Sequence, residues 1–180
     1  MADEHPDIAI RRADNADVDA LSEIGVATFQ ATYAHSSSAA DIAAHLDANF
    51  RSAAVRREIA LPGCTYLIAS VDGEPAGFAK FRKNGCPAVV PADDSIELQQ
   101  LYVAPEKQGY GIGQRLVSAV IDIAQSDSVG SIWLSTWQHA DWAIGFYRGI
   151  GFAEVGTTDF RVGETVHTDL LLWLPVGTRR

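Results

Sequence analysis

Apolar residues change their spacing several times along the chain, and each change predicts an element. Ile8 to Arg12 alternates as a short first strand. Asp14 can cap a helix running to about Tyr33, with Val18, Leu21, Ile24 and Phe29 on its apolar side. Ser36, Ser37 and Ser38 interrupt it. A second helix is expected over Ala40 to Phe50, where Ile42, Leu46 and Phe50 recur at helical spacing, and a third over Ser52 to Ala60, ended by Leu61-Pro62-Gly63. Cys64 to Val71 and Pro75 to Phe81 read as strands around Asp72-Gly73, a hairpin signal. Asn84 to Asp94, carrying Pro87 and Pro91, reads as a loop.

The next strand, Ile96 to Val103, breaks its own alternation. Ile96 and Leu98 are apolar at even positions, whereas Leu101 and Val103 are apolar at odd ones. Both pairs face one core only if an extra residue intervenes, so a β-bulge is expected near Gln99-Gln100. Gln114 to Gln125 reads as a helix with a stripe of Val117, Val120, Ile121 and Ala124. Ser131 to Thr136 is a strand, Ala140 to Gly149 a helix that exits at Gly151, and Phe152 to Phe160 pairs with Thr165 to Leu174 around Val162-Gly163-Glu164. Residues 1–180 are read as a single domain whose ends, 1–6 and 176–180, fray.

Between the bulged strand and the following helix lies Gln108-Gly109-Tyr110-Gly111-Ile112-Gly113. A strand, a glycine turn and a helix start together aim free backbone N–H groups at one point, where the helix dipole favours an anion. Glycine there admits positive φ and leaves no Cβ in front of a phosphate. The dinucleotide fingerprint G-x-G-x-x-G fails in both registers, because its third glycine would fall on Gln114 or Leu116. The P-loop fails because no Gly-Lys-Ser/Thr follows. What remains is Q-x-x-G-x-G, a pattern that an ordinary glycine-rich turn would also satisfy.

Composition narrows the partners. The chain has 14 Lys+Arg against 23 Asp+Glu, a net charge of −9, which argues against nucleic acid and suits a cationic substrate. No apolar run is long enough for a membrane span, and the acidic N-terminus lacks a signal-peptide pattern, so a cytoplasmic location is expected. Cys64 and Cys86 make no disulfide framework, and no metal-ligand spacing occurs.

Three longer stretches carry a resemblance. E-L-Q-Q-L-Y-V-A-P-E-K-Q-G-Y-G-I-G (Glu97 to Gly113) and L-S-T-W-Q-H-A-D-W-A-I-G-F-Y-R-G-I-G-F (Leu134 to Phe152) resemble the GCN5-related N-acetyltransferases. D-F-R-V-G-E-T-V-H-T-D-L-L-L (Asp159 to Leu172) is similar to the closing hairpin of the PaiA-like polyamine acetyltransferases. The resemblance implies a single α/β domain, three-layered, with a mixed, splayed sheet flanked by helices. It implies acetyl-CoA as co-substrate, its diphosphate on Gln108, Gly109, Tyr110, Gly111, Ile112, Gly113 and Gln114, and its pantetheine beside the main chain of Leu101, Tyr102 and Val103. Lys107 and Arg115 become candidates for the 3′-phosphate.

Acyl transfer to an amine needs an acid for the leaving thiolate and a base for an amine of pKa about 10. By the resemblance Tyr147 is the acid, Glu97 the base and Asp169 a site for a cationic substrate. Asp169, His167 and Glu164 stand behind Glu97 as bases, and His35 is expected at the surface. Trp133, Trp137 and Trp142 are expected in the core or an interface. Many relatives carry an asparagine, bonding the cofactor, where this chain has Ala140. The implied reaction is direct transfer of an acetyl group from acetyl-CoA to a primary amine, with a polyamine such as spermidine the first choice. The alternative is a non-catalytic acyl-CoA sensor with the same fold. The closing hairpin offers an edge for a homodimer.

Overall fold

Strands form where the chain alternates and helices where its apolar residues recur at helical spacing, in a computed structural model that describes residues 7–83, 86–91 and 94–177. The order is β1 (Ile8–Arg12), α1 (Val18–Tyr33), α2 (Ala39–Asn49), α3 (Ser52–Ile59), β2 (Cys64–Val71), β3 (Glu74–Lys83), β4 (Ser95–Val103), α4 (Ile112–Ser126), β5 (Ser131–Trp137), α5 (Asp141–Ile150), β6 (Ala153–Val162) and β7 (Thr165–Pro175). The seven strands make one mixed sheet in the order β1-β2-β3-β4-β5-β7-β6. Among the described residues only the β4–β5 pairing is parallel.

The strand faces separate two cores. Ile96, Leu98, Ile132 and Leu134 pack under α4 and α5, through Leu116, Val120, Ala143 and Tyr147. On the other face, Tyr66, Ile68 and Phe78 pack against Val18, Leu21 and Val55 of α1 and α3. Phe29, Phe50 and Leu46 extend that layer toward β6. Each fully buried side chain of this size stabilises the fold by roughly 1.5–3 kcal/mol, so the two layers hold the sheet from both sides. Lys80, buried on β3, pairs with Glu58 of α3, which also accepts from the Tyr66 hydroxyl at 2.9 Å.

Local chemistry sets the element ends. Asp14 accepts from the Ala16 N–H at 2.7 Å, and Asp17 accepts from the Asp14 N–H at 2.9 Å, so a short 3-10 turn precedes α1. Asp72 and Gly73 both take positive φ, 51° and 85°, which closes the β2–β3 hairpin in two residues.

Some expectations need correction. α4 begins at Ile112, not Gln114, because Gly111 adopts φ 76° and the chain turns helical directly after it. Val176 is buried and its N–H donates to the Gly130 carbonyl at 2.8 Å, so the chain is pinned there, not frayed. The remaining frayed-end expectations, at 1–6 and 178–180, lie outside the described residues, as do 84, 85, 92 and 93 of the Asn84 to Asp94 loop.

Candidate active site

β4 and β5 are in register only at Ser95–Ser131, Ile96–Ile132 and Glu97–Trp133. Beyond that point β4 continues along β3 to Val103, and β5 along β7 to Trp137, so the two strands part. The bulge lies at the point of parting. Lys80 pairs with Gln100 and Phe81 with Leu98, which leaves Gln99 as the extra residue. Leu98 and Leu101 thereby reach the same core. A strand that loses its neighbour leaves main-chain N–H and C=O groups to be satisfied by something else.

The gap opens into a cavity of about 520 Å³ that passes through the sheet. On the α4–α5 face it is lined by the glycine loop, by Ala143, Phe146 and Tyr147, and by Trp142. Leu98 to Val103 form its wall along β4, facing Ser135, Thr136 and Trp137 of β5. On the α1 face it ends at Thr28, Thr32 and Tyr33, with Phe160 and Asp169. Such a volume is ordinary for a small-molecule site.

The glycine loop suits an anion. Gly109 and Gly111 have φ of 87° and 76°, and a Cβ at either would meet open space. Glycine is therefore required by backbone conformation, and the space before it is left clear. No side chain caps α4, so the N–H groups of its first turn lack an intrahelical acceptor. The Gln108 side chain folds back to the Val103 carbonyl at 3.3 Å. Lys107 lines the cavity, whereas Arg115 is exposed outside it. These residues fit a phosphorylated ligand with a slender chain.

Tyr147 is buried, with Phe146 and Phe152 ring centroids at 5.1 and 5.5 Å. Burial holds its phenol well above the ordinary tyrosine range, so it keeps its proton at neutral pH. Asp169 is also buried, and it is one of the residues that line the cavity. The Ser135 hydroxyl donates to Oδ2 at 3.0 Å, and Oδ1 has no partner among the described residues. Desolvation pushes the carboxyl up to about 6, partly offset by Ser135. Tyr33 and Tyr102, both held protonated by burial, feel the Asp169 charge.

The sequence candidates divide accordingly. Leu101, Tyr102, Val103, Gln108, Gly109, Gly111, Ile112, Gly113, Gln114, Tyr147 and Asp169 line one cavity. Tyr110 does not, and its side chain is 55% exposed. Glu97 is outside the lining, and its Oε2 accepts from Gln99 Nε2 at 2.8 Å. Only Gln99 of that pair faces the cavity. His167 sits behind the wall, packed against Tyr33 and Trp137 and 3.0 Å from the Ser37 hydroxyl. Glu164 is exposed at the hairpin tip, and His35 is exposed. Trp133 is core as expected, but Trp142 is 70% exposed at the cavity wall. Ala140 also lines the cavity and leaves the α5 N-terminus without a side-chain cap. Ser135 and Phe146 were missed, because neither residue type signals chemistry until the cavity is known.

Comparison with known proteins agrees with this geometry. The acetyltransferase (GNAT) family model matches residues 25–152. An uncharacterised N-acetyltransferase of Lactobacillus delbrueckii subsp. lactis is 26% identical over 165 residues, covering 92% of this chain and 95% of its own length. The PaiA N-acetyltransferase of Thermoplasma acidophilum, solved with coenzyme A, superposes with a TM-score of 0.76 at 21% identity, covering 94% of this chain and 99% of that one. YncA of Salmonella typhimurium, solved with its cofactor acetyl-CoA, gives 0.65 at 21% identity, covering 96% and 95%. With a family match over most of its length and a relative aligned nearly throughout, the chain belongs to the acetyltransferase (GNAT) family and is an acetyl-CoA-dependent N-acetyltransferase.

Proposed function

We propose that the protein transfers the acetyl group of acetyl-CoA by direct attack of a primary amine on a small cationic molecule, with a polyamine such as spermidine as first choice. The observation that carries this reading is the continuity of one cavity from the glycine loop, past Tyr147, to Asp169. Acetyl-CoA supplies a thioester-activated acetyl group and a diphosphate by which it is held. Main-chain N–H groups of Gln108 to Gln114 hold the diphosphate, and Lys107 adds a positive charge beside it. Main-chain groups of Leu101, Tyr102 and Val103 orient the chain that carries the thioester, and one of their N–H groups faces the oxygen on which charge develops.

Tyr147 protonates the departing sulfur. A phenol held above its usual range gives up a proton only as another replaces it, so Tyr147 works best as a relay that regains one from nitrogen. Glu97 acts in this reading through Gln99, whose amide it positions. Asp169 meets the positive charge of the acceptor. The acidic balance of the chain, −9, supports a cationic acceptor and the polyamine in particular.

Ala140, which leaves the α5 N-terminus uncapped, favours the second reading of an acyl-CoA sensor without turnover. Release of free thiol from acetyl-CoA against a panel of amines separates the two. Turnover on an amine supports transfer, and binding of acetyl-CoA with no turnover on any amine supports the sensor.

A further inference from the structure

We infer that Asp169 is the general base of the reaction, its Oδ1 accepting the proton that the acceptor ammonium must lose before it attacks. The inference rests on the acetyl-transfer reading above and adds the destination of the proton. Among the described residues lining the cavity, Asp169 is the one carboxylate, and no histidine accompanies it. Ser135 fixes the carboxylate through Oδ2, Oδ1 has no hydrogen-bond partner among the described residues, and at 4% exposure bulk water does not satisfy that oxygen. A buried carboxylate oxygen without a donor costs free energy, and an ammonium N–H arriving from the cavity removes that cost. Glu97 lacks this access and already accepts from Gln99.

The groups around Asp169 leave it basic. Tyr33 approaches from α1 and Tyr102 from β4, both protonated, and Tyr147 lies beyond Tyr102. Ser135 and Trp137 face it from β5, and Thr158 is its partner on β6. His167, two residues back on β7, is turned to Ser37, Tyr33 and Trp137. Among the described residues the one cation lining the cavity is Lys107, which belongs to the glycine-loop side of the sheet. Desolvation with no ion pair therefore sets the carboxyl near 6, ionised at pH 7 yet a stronger base than an exposed aspartate.

The proton bookkeeping balances. An ammonium N–H bond breaks and an O–H bond forms at Asp169. The electron pair left on nitrogen forms the N–C bond as the acetyl C–S bond breaks and its pair leaves with sulfur. Tyr147 gives sulfur a proton and recovers one from the acylated nitrogen, and Asp169 returns its proton to solvent.

The test is the pH dependence of kcat/KM, with thiol release read on the best acceptor of the amine panel, for wild type, Asp169→Asn and Ser135→Ala. Wild type should lose activity on the acid side with an apparent pKa of about 6. Asp169→Asn should lose about 10²–10⁴-fold in kcat and lose the acid limb with it. Ser135→Ala should move the limb to higher pH, because the Ser135 hydrogen bond lowers the carboxyl's pKa. An acid limb that persists in Asp169→Asn, or a higher KM for amine at unchanged kcat, overturns the base role while leaving acetyl transfer standing. Wild type without turnover on any amine overturns both. Should Asp169→Asn not fold, the Ser135→Ala limb decides: an unmoved limb overturns the assignment.

Discussion

Burial pushes Tyr147 and Asp169 alike toward their protonated forms, and the consequences differ. In the proposed mechanism the protonated form of Tyr147 is the working one, so Tyr147→Phe should cut kcat by about 10²–10⁴-fold and leave acetyl-CoA affinity nearly intact, as steady-state kinetics and calorimetry would show. For Asp169 the proposed working form is the charged one, and the fold gives up stability to keep it. Its folded pKa, about 6, lies above the unfolded value, so the folded state binds more protons between those two values. Stability therefore falls as pH rises through that window and stays lower above it. Asp169→Asn should be more stable than wild type at pH 7.5, by up to about 3 kcal/mol, with the gain vanishing near pH 4 in thermal melts. At Gly111, φ of 76° and an open front make the residue a test of the anion cradle. Gly111→Ala should cost about 1 kcal/mol in stability and raise the KM for acetyl-CoA several-fold.

Elements carry a different kind of information. The parity break between Leu98 and Leu101 was enough to expect a bulge near Gln99-Gln100, where the register leaves Gln99 as the extra residue, because a strand with a buried face cannot hide one. The glycine loop was legible for a similar reason, since positive φ is written in residue type. Glu97 was not legible. Its chemistry suits a base, but whether a strand side chain meets a cavity depends on where the neighbouring strand departs, and β5 departs only after Glu97. Asp169 stood out by resemblance alone, and its burial follows from the pairing of β7 with both β5 and β6.

The tie between α2 and the β6–β7 turn was also unreadable. Asp41 of α2 accepts from the Glu164 N–H and the Thr165 hydroxyl, each at 3.1 Å, across the β6–β7 turn. Those bonds hold the Asp41 carboxyl below the usual range, so this tie is present above the unfolded pKa and is lost as pH falls through the folded one. Asp41→Ala should raise the KM for amine several-fold with little change for acetyl-CoA, and speed hydrogen exchange at the 162–165 turn.

Across the whole molecule, charge and topology act together. A net charge of −9 draws a cationic acceptor and repels an anionic co-substrate. Raising salt should therefore lower kcat/KM for a cationic amine while improving that for acetyl-CoA, because screening weakens both forces. The sheet supplies the remaining requirement by parting β4 from β5, which joins its two faces through one opening. The most direct test of that arrangement is a crystal structure of the protein with coenzyme A. The account predicts the diphosphate on the main chain of Gln108 to Gln114 and the thiol between β4 and β5, within reach of the Tyr147 hydroxyl. Coenzyme A bound elsewhere, or β4 and β5 closed together along their length, would contradict it.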